Sequence, residues 1–268
     1  DGVVAEPAAT IAVAAPTQAP AASMEPKVNR VIITNPAPNV EGNNTQRDLN
    51  PPAGVQLKPM YESLIGYDPV TGDLTPQLAK SWSIEPDGFS IRFQLQEGVR
   101  FHGDNGEFTS KDVVLAHDQH VRPDSTHSHR GVYAAATMDV VSDYEIVFQM
   151  AAPNAEILRL ISELNMSSMD ISSAVDFAKI GEPSLITRAP AGTGVYQYVS
   201  RKQGENVLFE RVPYKHWRLE ADFPELEFRW ISEASTRLAG LLTGETHITQ
   251  LPEDQMAEAA NAGMVTAQ

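Results

Sequence analysis

The chain has no cysteine. Disulfides, thiol nucleophiles and thiolate-bound metals are therefore excluded. Basic residues are also scarce. Lys and Arg number 20 against 35 Asp and Glu, a formal net charge of −15. So acidic a chain has no electrostatic attraction to nucleic acid or to an anionic membrane surface, and solubility is the plain reading of its charge. No apolar run is long enough to cross a bilayer as a helix. The signatures of common enzymes are missing too: there is no nucleophile elbow, no HExxH helix and no phosphate loop. Carboxylates are scattered, and no pair is forced together by spacing. No catalytic residue and no cofactor are expected.

What is present is an ordinary globular composition, with 42% apolar and 21% charged residues. The 268 residues allow one large domain or two modest ones. The chain starts on Asp1, so an upstream segment is expected. Residues 1–27 are rich in Ala, Pro and Thr and carry no period. They read as an extended linker, either a tether to a membrane anchor or a disordered end.

From Arg30 the pattern changes. Val31, Ile32 and Ile33 predict a buried strand that stops at Asn35-Pro36. Residues 36–54 read as a loop. Met60, Leu64 and Ile65 suggest a short helix, and Asp68-Pro69 with Thr71-Gly72-Asp73 suggests a turn. Phe89, Ile91, Phe93 and Leu95 alternate with polar residues, which predicts a half-buried strand over 88–95. Glu145–Met150 is a second such strand. Thr109 with Asp112 three positions on forms a capping-box variant, opening a helix to His120. Ile157, Leu158, Ile161 and Leu164 predict an amphipathic helix over 154–164. Further strands are expected at 207–212, 226–231 and 246–250. Helices are expected at 236–242, stopped by Gly244, and at 252–261. The mixture of helices and strands without strict alternation points to an α+β or mixed α/β architecture.

One stretch carries a resemblance. In order it contains Leu64-x-x-Tyr67-Asp68, then Pro76-x-Leu78-Ala79-x-Ser81-Trp82, then Asp87-Gly88. Gly98-Val99-Arg100-Phe101-His102 follows, and Thr109-Ser110-Lys111-Asp112-Val113 closes it. Downstream come Gly192-Thr193-Gly194-Val195-Tyr196, Tyr214-x-x-Trp217, and Thr236-Arg237 followed by Leu242-x-Gly244-Glu245. Together these resemble the family 5 extracytoplasmic solute-binding proteins, the dipeptide-, oligopeptide- and nickel-binding components of ABC importers. Val195 replaces the family's Pro, two extra residues separate Tyr214 from Trp217, and Thr246-His247 replaces an apolar–acidic pair.

The resemblance implies a periplasmic-binding-protein-like two-lobe fold of the peptide-binding type, truncated before its third lobe. Residues 28–60 and 185–268 would form the first lobe, with 61–184 inserted. It implies a monomeric solute-binding subunit that hands a peptide or other small solute to ABC permease subunits. The location would be extracytoplasmic, with a lipid anchor upstream. A sensor on the same fold and a nickel-type metal binder are the alternatives. Ligand contacts would come from residues 39–47, including Asn39, Asn44 and Thr45, and from 127–133, where Arg130 can pair with a carboxylate and Tyr133 can stack. Taken singly, Arg130 reads first as a surface residue and Tyr133 as a half-buried one. Trp82 and Phe101 read as core aromatics, and Gly192 and Gly194 as sites of close backbone approach. His102, His117, His120, His127 and His129 cluster in sequence. Imidazole ligation of a metal is one reading of them, and packing or solvent-facing roles are the other. They lack a zinc-site pattern, so no metal site is assigned.

Overall fold

A computed structural model describes residues 28–38, 41–48, 55–166, 168–182, 185 and 187–266. The linker expected at 1–27, and Asn39, lie outside the described residues. The β-branched run forms β1 (Arg30–Asn35). Inside the region read as loop there is one helical turn, α1 (Thr45–Asp48), followed by a 3-10 turn at Val55–Met60. The helix expected around Met60, Leu64 and Ile65 does not form. Pro59 lies inside the 3-10 turn and has no N–H to continue a helical ladder. Ile65 instead starts β2 (Ile65–Tyr67), paired antiparallel with β3 (Leu74–Pro76). The turn between them is as expected. Asp68 Oδ1 accepts from the backbone N–H of Val70 at 2.7 Å and of Thr71 at 3.1 Å.

β4 (Ala79–Ile84) and β5 (Ile91–Leu95) come next. In β5 the alternation holds: Ile91, Phe93 and Leu95 are fully buried, while Phe89 lies before the strand. Thr109 then caps α2 (Ser110–Val121), donating its N–H to Asp112 Oδ2 at 2.8 Å. The short α3 (Arg130–Tyr133) leads to the hairpin β6 (Ala136–Ser142) and β7 (Glu145–Met150). These strands form an antiparallel sheet in the order β4-β5-β7-β6. Phe93 and Phe148 meet edge to face at 4.9 Å. Such a pair contributes about 1 kcal/mol beyond the area it buries.

The helix expected over 154–164 shrinks to α4 (Ile157–Ile161). Ser162 turns extended because the chain there bridges to Ile65, and Glu163 N–H donates to Ile65 O at 2.9 Å. Leu164 is left 37% exposed. After α5 (Ala174–Ile180) come β8 (Tyr196–Lys202), β9 (Asn206–Arg211) and β10 (Glu225–Trp230). Then α6 (Ala234–Thr243) ends at a left-handed Gly244, and β11 (Ile248–Thr249) and α7 (Glu253–Asn261) close the chain. These later strands join β1 in a sheet ordered β11-β1-β10-β9-β8. β1 runs parallel to both β10 and β11, and the β10-β9-β8 side is antiparallel. No helix among the described residues is long and apolar enough to cross a membrane.

Two apolar cores result. One gathers residues between Leu64 and Ile171, including Phe93, Phe101, Phe108 and Phe148, with Trp82 packed against it. The other joins Val31, Leu57, Met60 and Tyr61 to Tyr196, Phe209, Leu226 and Phe228. They meet where residues 190–194 pass the 3-10 turn. A Cβ on Gly192 would lie 1.9 Å from Met60 O, and one on Gly194 would lie 2.5 Å from Pro59 O. Gly194 N–H donates to Met60 O at 3.0 Å, and His102 N–H donates to Gly192 O at 2.9 Å. Only glycine lets the backbones come this close. Gly192→Ala is therefore expected to destabilise the protein by about 3 kcal/mol or more. Gly131→Ala, in α3 with nothing within 4 Å of its Cβ position, is expected to be neutral or slightly stabilising. Urea unfolding of both variants checks the pair.

Candidate functional site

In an open sheet with parallel strands, ligands bind outside the carboxyl ends of those strands. Here those ends are Asn35, Trp230 and Thr249. The connection leaving β1 is fastened on both flanks. On one flank, Glu41 Oε1 accepts from Gly204 N–H at 2.8 Å in the β8–β9 turn. Arg201 reaches Glu41 Oε2 at 3.2 Å and Asn43 Oδ1 at 3.0 Å, with side chains only 1% and 8% exposed for Arg201 and Glu41. On the other flank, Asn44 Nδ2 donates to Gln119 Oε1 of α2 at 3.0 Å. Gln46 Nε2 donates to Asp170 O at 2.8 Å. Thr126 N–H and Ser125 Oγ both donate to Arg47 O, each at 3.0 Å.

These contacts tie residues 44–47 to Gln119 and to Ser125–Thr126, just ahead of the segment 127–133 picked out in the sequence. Asn44 and Thr45 are buried beneath the loop surface. Arg130 is exposed, with no ion-pair partner among the described residues. Tyr133 is 1% exposed and lies against the rings of His120 and His127, so it faces the interior. Nearby, a cleft of about 400 Å³ is lined by Gly204, Glu205, Asn206, Glu227, Arg229, Trp230 and Ile231. Trp230 brings to this end of the sheet a buried indole N–H that has no acceptor. Sequence reading missed Arg201, Glu41 and Trp230. No local pattern marks an ion pair made across 160 positions.

The histidines mostly serve the main chain. His102 Nε2 donates to Gly194 O at 2.8 Å and His216 Nε2 to Thr193 O at 2.6 Å. His117 Nε2 faces the carbonyls of Tyr133 and Ala136, both at 3.1 Å. Among the described residues no group of three or more His, Asp or Glu is placed to hold a metal ion. Burial pushes His102 down from 6.5 to about 4, against the pull of the Gly194 carbonyl. Beside it, Glu62 is buried under Trp217 and Arg218, accepting from Trp217 Nε1 and Arg218 Nη2 at 2.9 Å each. Burial raises the Glu62 carboxyl, but His216 and Arg218 outweigh it and the net value is lowered.

The sheet with a parallel core, the cleft at its strand ends and the second domain-sized core define a periplasmic-binding type of protein. The model for "Bacterial extracellular solute-binding proteins, family 5 Middle" matches residues 73–267, and the chain belongs to that family. It is similar to heme-binding protein A of Haemophilus influenzae, with 24% identity over 72% of this chain and 38% of that one. It is also similar to the probable di/tripeptide-binding protein 5 of Pseudomonas aeruginosa, with 25% identity over 75% of this chain and 41% of that one. The periplasmic binding protein DppA of Helicobacter pylori, solved with the peptide STSA, shares the fold. Its TM-score is 0.74 at 22% identity, over 87% of this chain and 48% of that one. The chain therefore spans about two fifths of the length of these curated relatives.

The Arg201–Glu41 pair decides where the β1 loop sits. Arg201→Met is expected to cost about 3–5 kcal/mol, because it leaves a carboxylate buried and unpaired. Replacing Glu41 with Met as well is expected to recover most of that loss. Chemical denaturation of the two variants checks this, and a single-variant loss below about 1 kcal/mol would show a solvated pair instead.

Proposed function

We propose that this chain is the solute-gripping part of an extracytoplasmic binding subunit, which captures a peptide or other small solute and delivers it to an ABC permease. The observation that carries this reading is the loop 41–48, held on both flanks at the strand ends, with the unpaired Arg130 on the segment beside it. Residues 28–60 and 185–268 form one lobe and 61–184 the insertion. The division into two apolar cores supports this. The protein works as a monomer outside the cytoplasmic membrane, tethered through residues 1–27 to a lipid anchor. Its task is binding and not catalysis, in keeping with imidazole N–H groups given to backbone carbonyls. The relatives named for heme and for di- or tripeptides share this fold, so specificity lies in the side chains around the cleft and not in the scaffold.

Arg130 is the residue of this chain best suited to a solute carboxylate, through its planar, two-pronged donor set. Calorimetry on the full-length protein compares dipeptides with free and amidated C-termini. Arg130→Gln is expected to weaken binding of the free acid by about tenfold and to leave the amide unchanged. Its melting temperature should stay put, because the side chain is exposed. Equal binding of acid and amide by the parent protein would remove Arg130 from the site. Absence of binding by any dipeptide would sink the peptide reading.

A further inference from the structure

Beneath residues 41–48 lies a group of side chains that solute capture does not use. His120 and His127 stand ring to ring with centroids 4.2 Å apart. Tyr133 lies 4.2 Å from His120 and 5.7 Å from His127. All three are almost wholly buried. Their partners fix the ring protons. His120 Nδ1 faces the Ala116 carbonyl and must donate, so Nε2 is a bare lone pair. His127 Nδ1 accepts from the His129 N–H at 3.1 Å, so its proton sits on Nε2. His120 Nε2, His127 Nε2 and the Tyr133 hydroxyl are all buried without a hydrogen-bond partner.

A second proton on either ring would make a buried cation that the nearby Lys58 ammonium opposes. Asp170 is charge-paired with that Lys58 through Oδ1, which also accepts from Ser168 Oγ at 3.1 Å, while its Oδ2 is buried without a partner. The other titratable groups acting on the cluster are His117 from α2 and His129 from the 122–129 loop. At the rim, Arg47 and Arg122 are taken by Asp48, Asp124 and Glu182. Burial, then His129 and Lys58, moves His127 from 6.5 to about 3. Burial, then His127, moves His120 well below its usual range.

Residues adjoining the cluster hold the loop. Thr126, next to His127, and Ser125 grip Arg47 O, while Gln119, next to His120, grips Asn44. We propose that the His120–His127–Tyr133 cluster is an acid-operated latch. Protonating an imidazole drives residues 125–129 off α2 and frees residues 41–48, while both cores stay folded. A histidine whose folded value is depressed holds the closed state fully above its ordinary 6.5 and loses that hold as pH falls from 6.5 toward about 3. The latch stands without any solute. Its consequence, release of solute in acid, rests on the reading of 41–48 as a ligand loop.

Hydrogen–deuterium exchange of the solute-free full chain, at about pH 7.5 and about pH 4.5 and corrected for intrinsic rates, tests the latch apart from binding. Two pH units below 6.5, the shift to about 3 is expected to raise opening of 41–48 and 122–133 by about a hundredfold. Strands β5 and β7 should keep their protection. His127→Asn keeps an acceptor for the His129 N–H but leaves His120 to titrate, so the double variant His120→Gln/His127→Asn is the one whose loop protection should be flat with pH. The proposal is overturned if wild-type loop protection is flat, or if it is lost together with β5 and β7. It is overturned equally if opening starts at residues 192–194, where His102 is also buried, or if the double variant keeps the acid response. Should the double variant not fold, the location of the wild-type opening decides alone.

Discussion

The close passage of residues 192–194 over the carbonyls of Pro59 and Met60 is the contact on which the two halves of this molecule depend. It leaves no room for a side chain, so it fixes two glycines and sets the distance between the cores. The neighbouring polar groups then fall into place around it. His102 and His216 donate to Gly194 O and Thr193 O, and the Tyr61 hydroxyl donates to Pro190 O at 2.9 Å. Three side chains from distant stretches thus satisfy the carbonyls of Pro190, Thr193 and Gly194, which the crossing segment would otherwise bury unpaired.

Charge is distributed with the same economy. Three of the buried ionic groups lie at junctions between elements. Glu62 is met by Trp217 and Arg218 where the cores join. Arg201 and Glu41 pin the β1 loop, and Lys58 meets Asp170 under it. Seam charges of this kind add little net stability over apolar packing, but removing one partner is costly. They therefore specify where loops sit more than how strongly the cores hold. That suits a binding protein, in which the loop beside the cleft must be placed and still be able to move.

Several elements were legible in advance because their signals are local. The alternation of Ile91, Phe93 and Leu95, the Thr109–Asp112 box and the left-handed Gly244 each depend on residues within a few positions. Others were misread because a distant strand competed for the same backbone. The helix at 154–164 stopped early since Ser162 and Glu163 pair with Ile65. The helix near Met60 gave way to Pro59 and to the β2–β3 hairpin. Of the site residues named from resemblance, Asn44 and Thr45 are buried and Arg130 is exposed. Tyr133, also named, turns inward onto two histidines.

By itself the sequence determined composition, charge, the locally coded strands and caps, and enough ordered motifs to indicate the family. Those features are set by neighbours along the chain, where spacing alone carries the signal. Tertiary structure alone decided that β1 pairs with β10 across nearly two hundred positions, and that Glu41 finds Arg201. It alone also decided that His102, His117 and His120 are buried with a ring nitrogen turned to a backbone carbonyl. Those outcomes depend on which surfaces lose water together and which polar groups are then left needing partners. Neither is written in the spacing of residues along one strand or helix.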